Sequence, residues 1–115
     1  MRVLVCGGRT FDDDVTLYDT LNKINTEVDI IDVIISGNAR GADQLGEEYA
    51  KDNNIETEVY PAQWNLYGKS AGYKRNTQML VEGKPDLVIA FPGGKGTAMM
   101  VKIAKEADVD VMEVT

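Results

Sequence analysis

The sequence predicts a three-layer α/β fold, a mostly parallel five-stranded sheet with helices on both faces. Three observations predict it. Short β-branched runs alternate with amphipathic stretches along the whole chain. The runs at 3–6, 33–35 and 87–91 are continuously apolar, which suits strands buried on both faces. Glycine-rich turns stand where strands give way to helices. With 115 residues, 43% of them hydrophobic, the chain can fill one core and is too short for two, so a single domain over 1–115 is expected.

The first strand is Val3-Leu4-Val5-Cys6, ended by Gly7-Gly8. Asp12 or a neighbour caps the next helix, whose Leu17, Leu21, Ile24 and Val28 recur at helical spacing. Asp32 to Ile35 is the second strand, closed by Ser36-Gly37. A helix starts near Gly41 and carries Ala42, Leu45, Tyr49 and Ala50 on one face. Glu58-Val59-Tyr60 is a weaker third strand, stopped by Pro61. An aromatic loop, Gln63 to Gly68, leads to a helix with Ser70 placed to cap it. Asp86 to Phe91 is the strongest strand. It is followed by Pro92-Gly93-Gly94-Lys95-Gly96-Thr97, a helix to about Ala107, and a last strand from Val109 to Val114.

Right-handed crossovers place the strand-to-helix loops at one edge of such a sheet, and the expected strand order is 3-2-1-4-5. Six of the twelve cationic residues fall in those loops: Arg9, Arg40, Lys69, Lys74, Arg75 and Lys95. The chain as a whole is acidic, with a formal charge of -7. Cations gathered beside glycines at helix N-termini point to an anionic ligand, because free N–H groups and the helix dipole favour phosphate there.

Composition removes several classes. There is no histidine, so Ser-His-Asp and Cys-His nucleophile systems and His-ligated metals are excluded. The single cysteine, Cys6, forms no internal disulfide and no thiolate metal cage; a buried small hydrophobe is its simplest role. No metal and no resident cofactor are predicted. The acidic balance argues against broad nucleic-acid or anionic-membrane binding. With no apolar run of membrane-spanning length and no secretory leader in MRVLVCGGRT, a cytoplasmic location is expected. The short chain and exposed last strand are compatible with a homodimer.

Three segments carry the candidate site. In Pro92 to Thr97, Gly93, Gly94 and Gly96 present backbone amides and Thr97 adds a hydroxyl; a tight connector is the competing reading. In Ser36-Gly37-Asn38-Ala39-Arg40-Gly41-Ala42-Asp43, Ser36, Asn38 and Arg40 offer donors, and Asp43 either accepts from a ribose hydroxyl or caps its own helix. In Lys69 to Asn76, Lys69, Arg75 and Asn76 can hold a phosphate or a base edge. Trp64, Tyr67 and Tyr73 can stack on a base, although packing beneath the loop is the simpler role. Gly7, Gly8 and Arg9 complete the set. Gly68-Lys69-Ser70 is not a P-loop, which would require glycine where Gln63 stands, and Gly7-Gly8-Arg9 lacks the dinucleotide-fingerprint spacing.

These blocks together resemble the SLOG superfamily of Rossmann-like domains, and within it the YspA-like branch. The matching pieces are Gly7-Gly8-Arg9-Thr10-Phe11, Ser36 to Asp43, Trp64 with Tyr67-Gly68-Lys69 and Ala71-Gly72, Arg75-Asn76, and Ala90 to Thr97. They appear in order over nearly the whole chain. The superfamily includes the LOG phosphoribohydrolases and the DNA-processing protein DprA, and the resemblance implies binding of a nucleotide or nucleotide-derived ligand at the glycine-rich edge. The LOG enzymes carry Pro-Gly-Gly-x-Gly-Thr-x-x-Glu, in which the glutamate serves N-glycosidic cleavage. Here that position is Met100, which helical spacing places on the face of Thr97, toward the same ligand. A methionine supplies no carboxylate.

The leading expectation is therefore binding or sensing of a nucleotide or of a phosphoribosyl or NAD-type metabolite, without turnover by the LOG mechanism. One alternative is a hydrolase using Asp12, Asp13, Asp14 or Asp43. Another is a protein-interaction module on an inherited scaffold.

Overall fold

A computed structural model describes all residues from Met1 to Thr115. Its sheet contains β1 (Arg2–Cys6), β2 (Val33–Ser36), β3 (Glu56–Val59), β4 (Leu87–Ala90) and β5 (Asp110–Glu113), in the order β3-β2-β1-β4-β5. Every neighbouring pair is parallel; Leu4, at the centre of β1, stands between Ile35 and Val88. The helices are α1 (Asp14–Lys23), α2 (Ala42–Asp52), α3 (Trp64–Tyr67), α4 (Ala71–Gly83) and α5 (Lys95–Glu106). None is long and apolar enough to cross a membrane.

The pleat divides the core into two. Val3, Val5, Ile34, Leu87 and Ile89 point to one face and meet Leu17 and Leu21 of α1 and Ala42, Tyr49 and Ala50 of α2. Leu4, Cys6, Val33, Ile35, Val88 and Ala90 point to the other, where α4 contributes Met79 and α5 contributes Met100, Val101 and Ala104. The continuous apolar character of the strands thus has its cause in two covered faces. Acidic side chains at both edges, Glu56 and Glu58 on β3 and Asp110 and Glu113 on β5, disfavour pairing of an edge with its own copy.

The cap of α1 is Asp13, the neighbour of Asp12, whose carboxylate accepts the Thr16 amide at 3.1 Å, as expected. Several other local expectations change. Val28 does not join the buried stripe and is 65% exposed. After Lys23 the chain continues as a π-helical turn, Ile24–Val28, with Asp29 N donating to Ile24 O at 3.1 Å. That wider turn shifts the angular register of the stripe. The aromatic loop is helical: the Leu66 and Tyr67 amides both donate to Gln63 O at 3.0 Å, and a 3-10 turn, Gly68–Ser70, follows. Ser70 stands at the N-cap position of α4, yet its hydroxyl donates to Tyr67 O at 3.0 Å and caps nothing. β3 starts at Glu56, two residues before the expected Glu58.

At the topological switch between β1 and β4, Gly8 N donates to Pro92 O at 2.8 Å and Gly8 O accepts the Ala42 amide at 3.3 Å. A side chain at Gly7 would stand 2.6 Å from the Ala42 Cβ, so glycine there lets α2 start against the strand ends. Gly41, at φ +82°, lies so close that a Cβ would collide with Gly8 O. Three chain segments therefore meet backbone to backbone where the sheet reverses its winding.

Candidate functional site

The carboxyl edge opens into a cleft of about 440 Å³. Ten of the fourteen residues expected at a site line it: Gly7, Gly8, Arg9, Asp43, Lys69, Arg75, Asn76, Gly94, Gly96 and Thr97. On one side α5 begins. Its first internal bond is Ala98 N to Gly94 O at 3.0 Å, and no side chain caps it, so the Lys95, Gly96 and Thr97 amides are left over from the helix pattern. A Cβ built on Gly94 or Gly96 would meet nothing within 4 Å, and neither residue has a positive φ. Gly93 differs: its Cβ would press on the Thr97 hydroxyl and lie 2.7 Å from Gly8 N, so it joins the two turns and does not line the cleft.

The opposite wall is held by α2 and α4. Arg75 Nη1 donates to Gly37 O at 2.6 Å and its Nε to Asn76 Oδ1 at 2.9 Å, while Asn76 Nδ2 donates to Gly96 O at 3.1 Å. This relay ties the turn after β2 to the first turn of α5. A Cβ on Gly37 would stand 2.7 Å from Arg75 Nη1 and 2.9 Å from Asp43 Oδ2, so glycine makes room for both groups. Asp43 is 5% exposed and its Oδ2 accepts the Ala39 amide at 3.2 Å; it holds that turn and is not the cap of α2. Ser36 is fully buried. Its hydroxyl lies 2.7 Å from Glu47 Oε2 and accepts the Asn38 amide at 3.1 Å, which puts it beneath the site and away from the cleft.

Burial pushes the Asp43 carboxyl up to about 6, against the pull of the Ala39 amide and the Arg75 charge. Burial likewise lowers Arg75, with Arg9 adding to the effect and Asp43 opposing it. Folded Asp43 therefore binds its proton more tightly than unfolded Asp43. Between about pH 4 and pH 6 the folded state holds the extra proton, so stability falls as pH rises through that window. The difference is on the order of 3 kcal/mol. Urea unfolding across this range should show the decline in the wild type and a flatter profile in Asp43→Asn. Parallel profiles would show that Asp43 is not the titrating group. The Cys6 thiol, at the cleft floor, is pushed by burial up to about 12 and stays protonated.

Two expectations are overturned by packing. Trp64 and Tyr73 are not packed beneath a loop: they are 48% and 47% exposed and line the cleft, with the Arg9 guanidinium 5.5 Å from the Trp64 ring centroid. Met100 does not face a ligand. It is 0% exposed and sealed among Leu4, Cys6, Met79 and Ala104. Arg40 and Gly37 stand outside the cleft, in a groove beside it. Of the sequence acids near the loops, Asp43 lines the cleft and Asp12, Asp13 and Asp14 do not. Lys95, Gly72 and Ala39 also line it; the sequence marked Lys95 only as one of the loop cations, and Gly72 and Ala39 only as members of the matching segments.

Fold and cleft together define a class: a parallel, Rossmann-like α/β domain with a glycine-lined cleft at its topological switch point. The family described as "YspA, cpYpsA-related SLOG family" matches residues 1–67, from β1 through α3. The Gene 61 protein of Mycobacterium phage D29 is 33% identical over 118 residues, spanning 96% of this chain and 94% of the relative. The chain belongs to the YspA, cpYpsA-related SLOG family. No solved structure matches it.

Proposed function

We propose that the protein binds or senses a phosphate-bearing nucleotide or nucleotide-derived ligand, of phosphoribosyl or NAD type, in this cleft. The observation that carries the reading is Gly96. Gly7, Gly8, Gly37, Gly41 and Gly93 are each explained by a close contact within the chain and Gly94 by its place as the N-cap of α5, whereas Gly96 is explained by neither. Gly96 lies in the first turn of α5, where a side chain would meet nothing and glycine is the poorer helix former. Bare backbone beside unpaired helix N-terminal amides leaves room for a phosphoryl group to approach. Lys69, Lys95 and Arg9 supply charge around it, and the Trp64 and Tyr73 rings offer faces to a base.

Hydrolysis is a second reading, favoured by one observation: Asp43 is a cleft carboxyl whose proton affinity is raised toward neutrality. Its bond to the Ala39 amide and its depth beside Arg75 favour a positioning role instead.

Isothermal titration with adenosine, adenosine 5′-monophosphate and inorganic phosphate tests the binding reading. The monophosphate should bind at least about tenfold more tightly than the nucleoside, since a charge-assisted phosphate contact contributes about 1.5–3 kcal/mol. Equal affinity for nucleoside and nucleotide, or no heat with either, would sink it.

A further inference from the structure

Beside the cleft lies a groove of about 320 Å³ lined by Arg9, Arg40 and Arg75, three of the four arginines of the chain. No carboxylate lines it. The fourth arginine, Arg2, pairs with Glu58 at 2.6 Å, but none of the other three has a carboxylate within 4.0 Å in a chain that carries 19 acids. The part-buried Arg75 charge is supported by the nearby Asp43 and opposed by Arg9. Arg75 is engaged with Gly37 O and Asn76, and Arg9 lies over Trp64. Arg40 is exposed and makes no side-chain hydrogen bond or ion pair within the chain, so nothing in the fold employs it.

Arg9, Ala39, Trp64 and Arg75 line both the cleft and the groove, so the two depressions adjoin. The α5 residues line only the cleft, and Arg40 lines only the groove. We infer that the groove is a second anion subsite, and that the ligand carries two separate phosphoryl groups, one at the start of α5 and one at Arg40, on either side of the Trp64–Arg9 wall. This rests on the nucleotide reading of the cleft and narrows it to a nucleotide bearing a second phosphoryl group. The net charge of -7 opposes a polyanion that continues beyond the two depressions, which favours a small ligand over a nucleic-acid strand.

Adenosine 3′,5′-bisphosphate compared with adenosine 5′-monophosphate, each titrated into wild type and Arg40→Gln, provides the test. In the wild type the second phosphoryl group should tighten binding at least about tenfold. Arg40→Gln should abolish that gain while leaving monophosphate affinity within about twofold, and its thermal unfolding should match the wild type because the side chain is exposed. Monophosphate binding with no gain from the second group would remove the subsite and leave the cleft reading standing. Binding of neither compound would remove both. A single-stranded decanucleotide that binds more tightly than the bisphosphate, and loses affinity in Arg40→Gln, would assign the groove to nucleic acid and overturn the small-ligand inference.

Discussion

Replacing Gly96 with leucine should strongly weaken nucleotide binding without unfolding the protein. A Cβ at this position meets nothing within 4 Å and the residue lies in the first turn of α5, so the fold tolerates a side chain there. Leucine is also the better helix former, by up to roughly 1 kcal/mol. Stability should therefore be unchanged or slightly higher. The new side chain occupies the volume over the Lys95, Gly96 and Thr97 amides that a phosphoryl group would need. Losing those charge-assisted contacts should cost about 100-fold in affinity for adenosine 5′-monophosphate. Gly94 is equally open but is the N-cap of α5, where leucine is disfavoured, so Gly94→Leu should lose binding and some stability together. Thermal unfolding and calorimetric titration of the same preparations give the two readouts. A raised or equal Tm with lost binding separates a ligand-facing glycine from a structural one. Unchanged affinity in Gly96→Leu would reduce the turn to a connector between strand and helix. Gly93→Leu is the contrasting variant, expected to lose stability because its Cβ would press on Thr97 and on Gly8 N.

The strand order was legible because apolar runs bounded by glycine mark buried parallel strands, and the crossover rule then leaves few arrangements. The three loop segments were legible for the same reason: each follows a strand that the pattern locates. Periodicity failed where the answer depended on depth. Thr97 and Met100 share a face of α5, but the helix advances about 4.5 Å between them. That rise takes position 100 below the rim and under Leu4 and Cys6, where no ligand reaches. Charge type also hid a distinction. Arg75 and Arg40 look equivalent as loop arginines, yet one is bound into the wall by Gly37 O and the other has no partner in the chain. The α3 helix was missed because its four residues are too few to show a helical period. Trp64 was read as a packing residue because an aromatic side chain normally buries itself, and the guanidinium of Arg9 against its ring is a long-range contact that no local pattern announces.

Met100→Glu should destabilise the protein strongly and confer no hydrolysis. The side chain is fully buried between α5 and the sheet, with Leu4, Val88, Met79 and Ala104 in the same apolar cluster. An ionised carboxylate there has no partner, so the glutamate must either stay protonated or force the helix off the sheet. Loss of the methionine packing adds to the penalty, and a total of roughly 3–5 kcal/mol is expected. That is a large share of the stability of an ordinary domain. Because burial raises the folded pKa of the new carboxyl above its unfolded value, the variant should lose stability relative to wild type as pH rises from about 5 to 8. Met100→Leu, which nearly conserves volume, should cost less than about 1.5 kcal/mol and marks the packing contribution alone. The wild type should release little free base from adenosine 5′-monophosphate, since a positioned acid or base contributes on the order of 100- to 10,000-fold and position 100 offers none. A Met100→Glu protein that unfolds like the wild type and gains base release would place this side chain in the cleft. Rapid release by the wild type, lost in Asp43→Asn while that variant stays folded, would instead make Asp43 the catalytic carboxyl and replace the binding-only reading with hydrolysis.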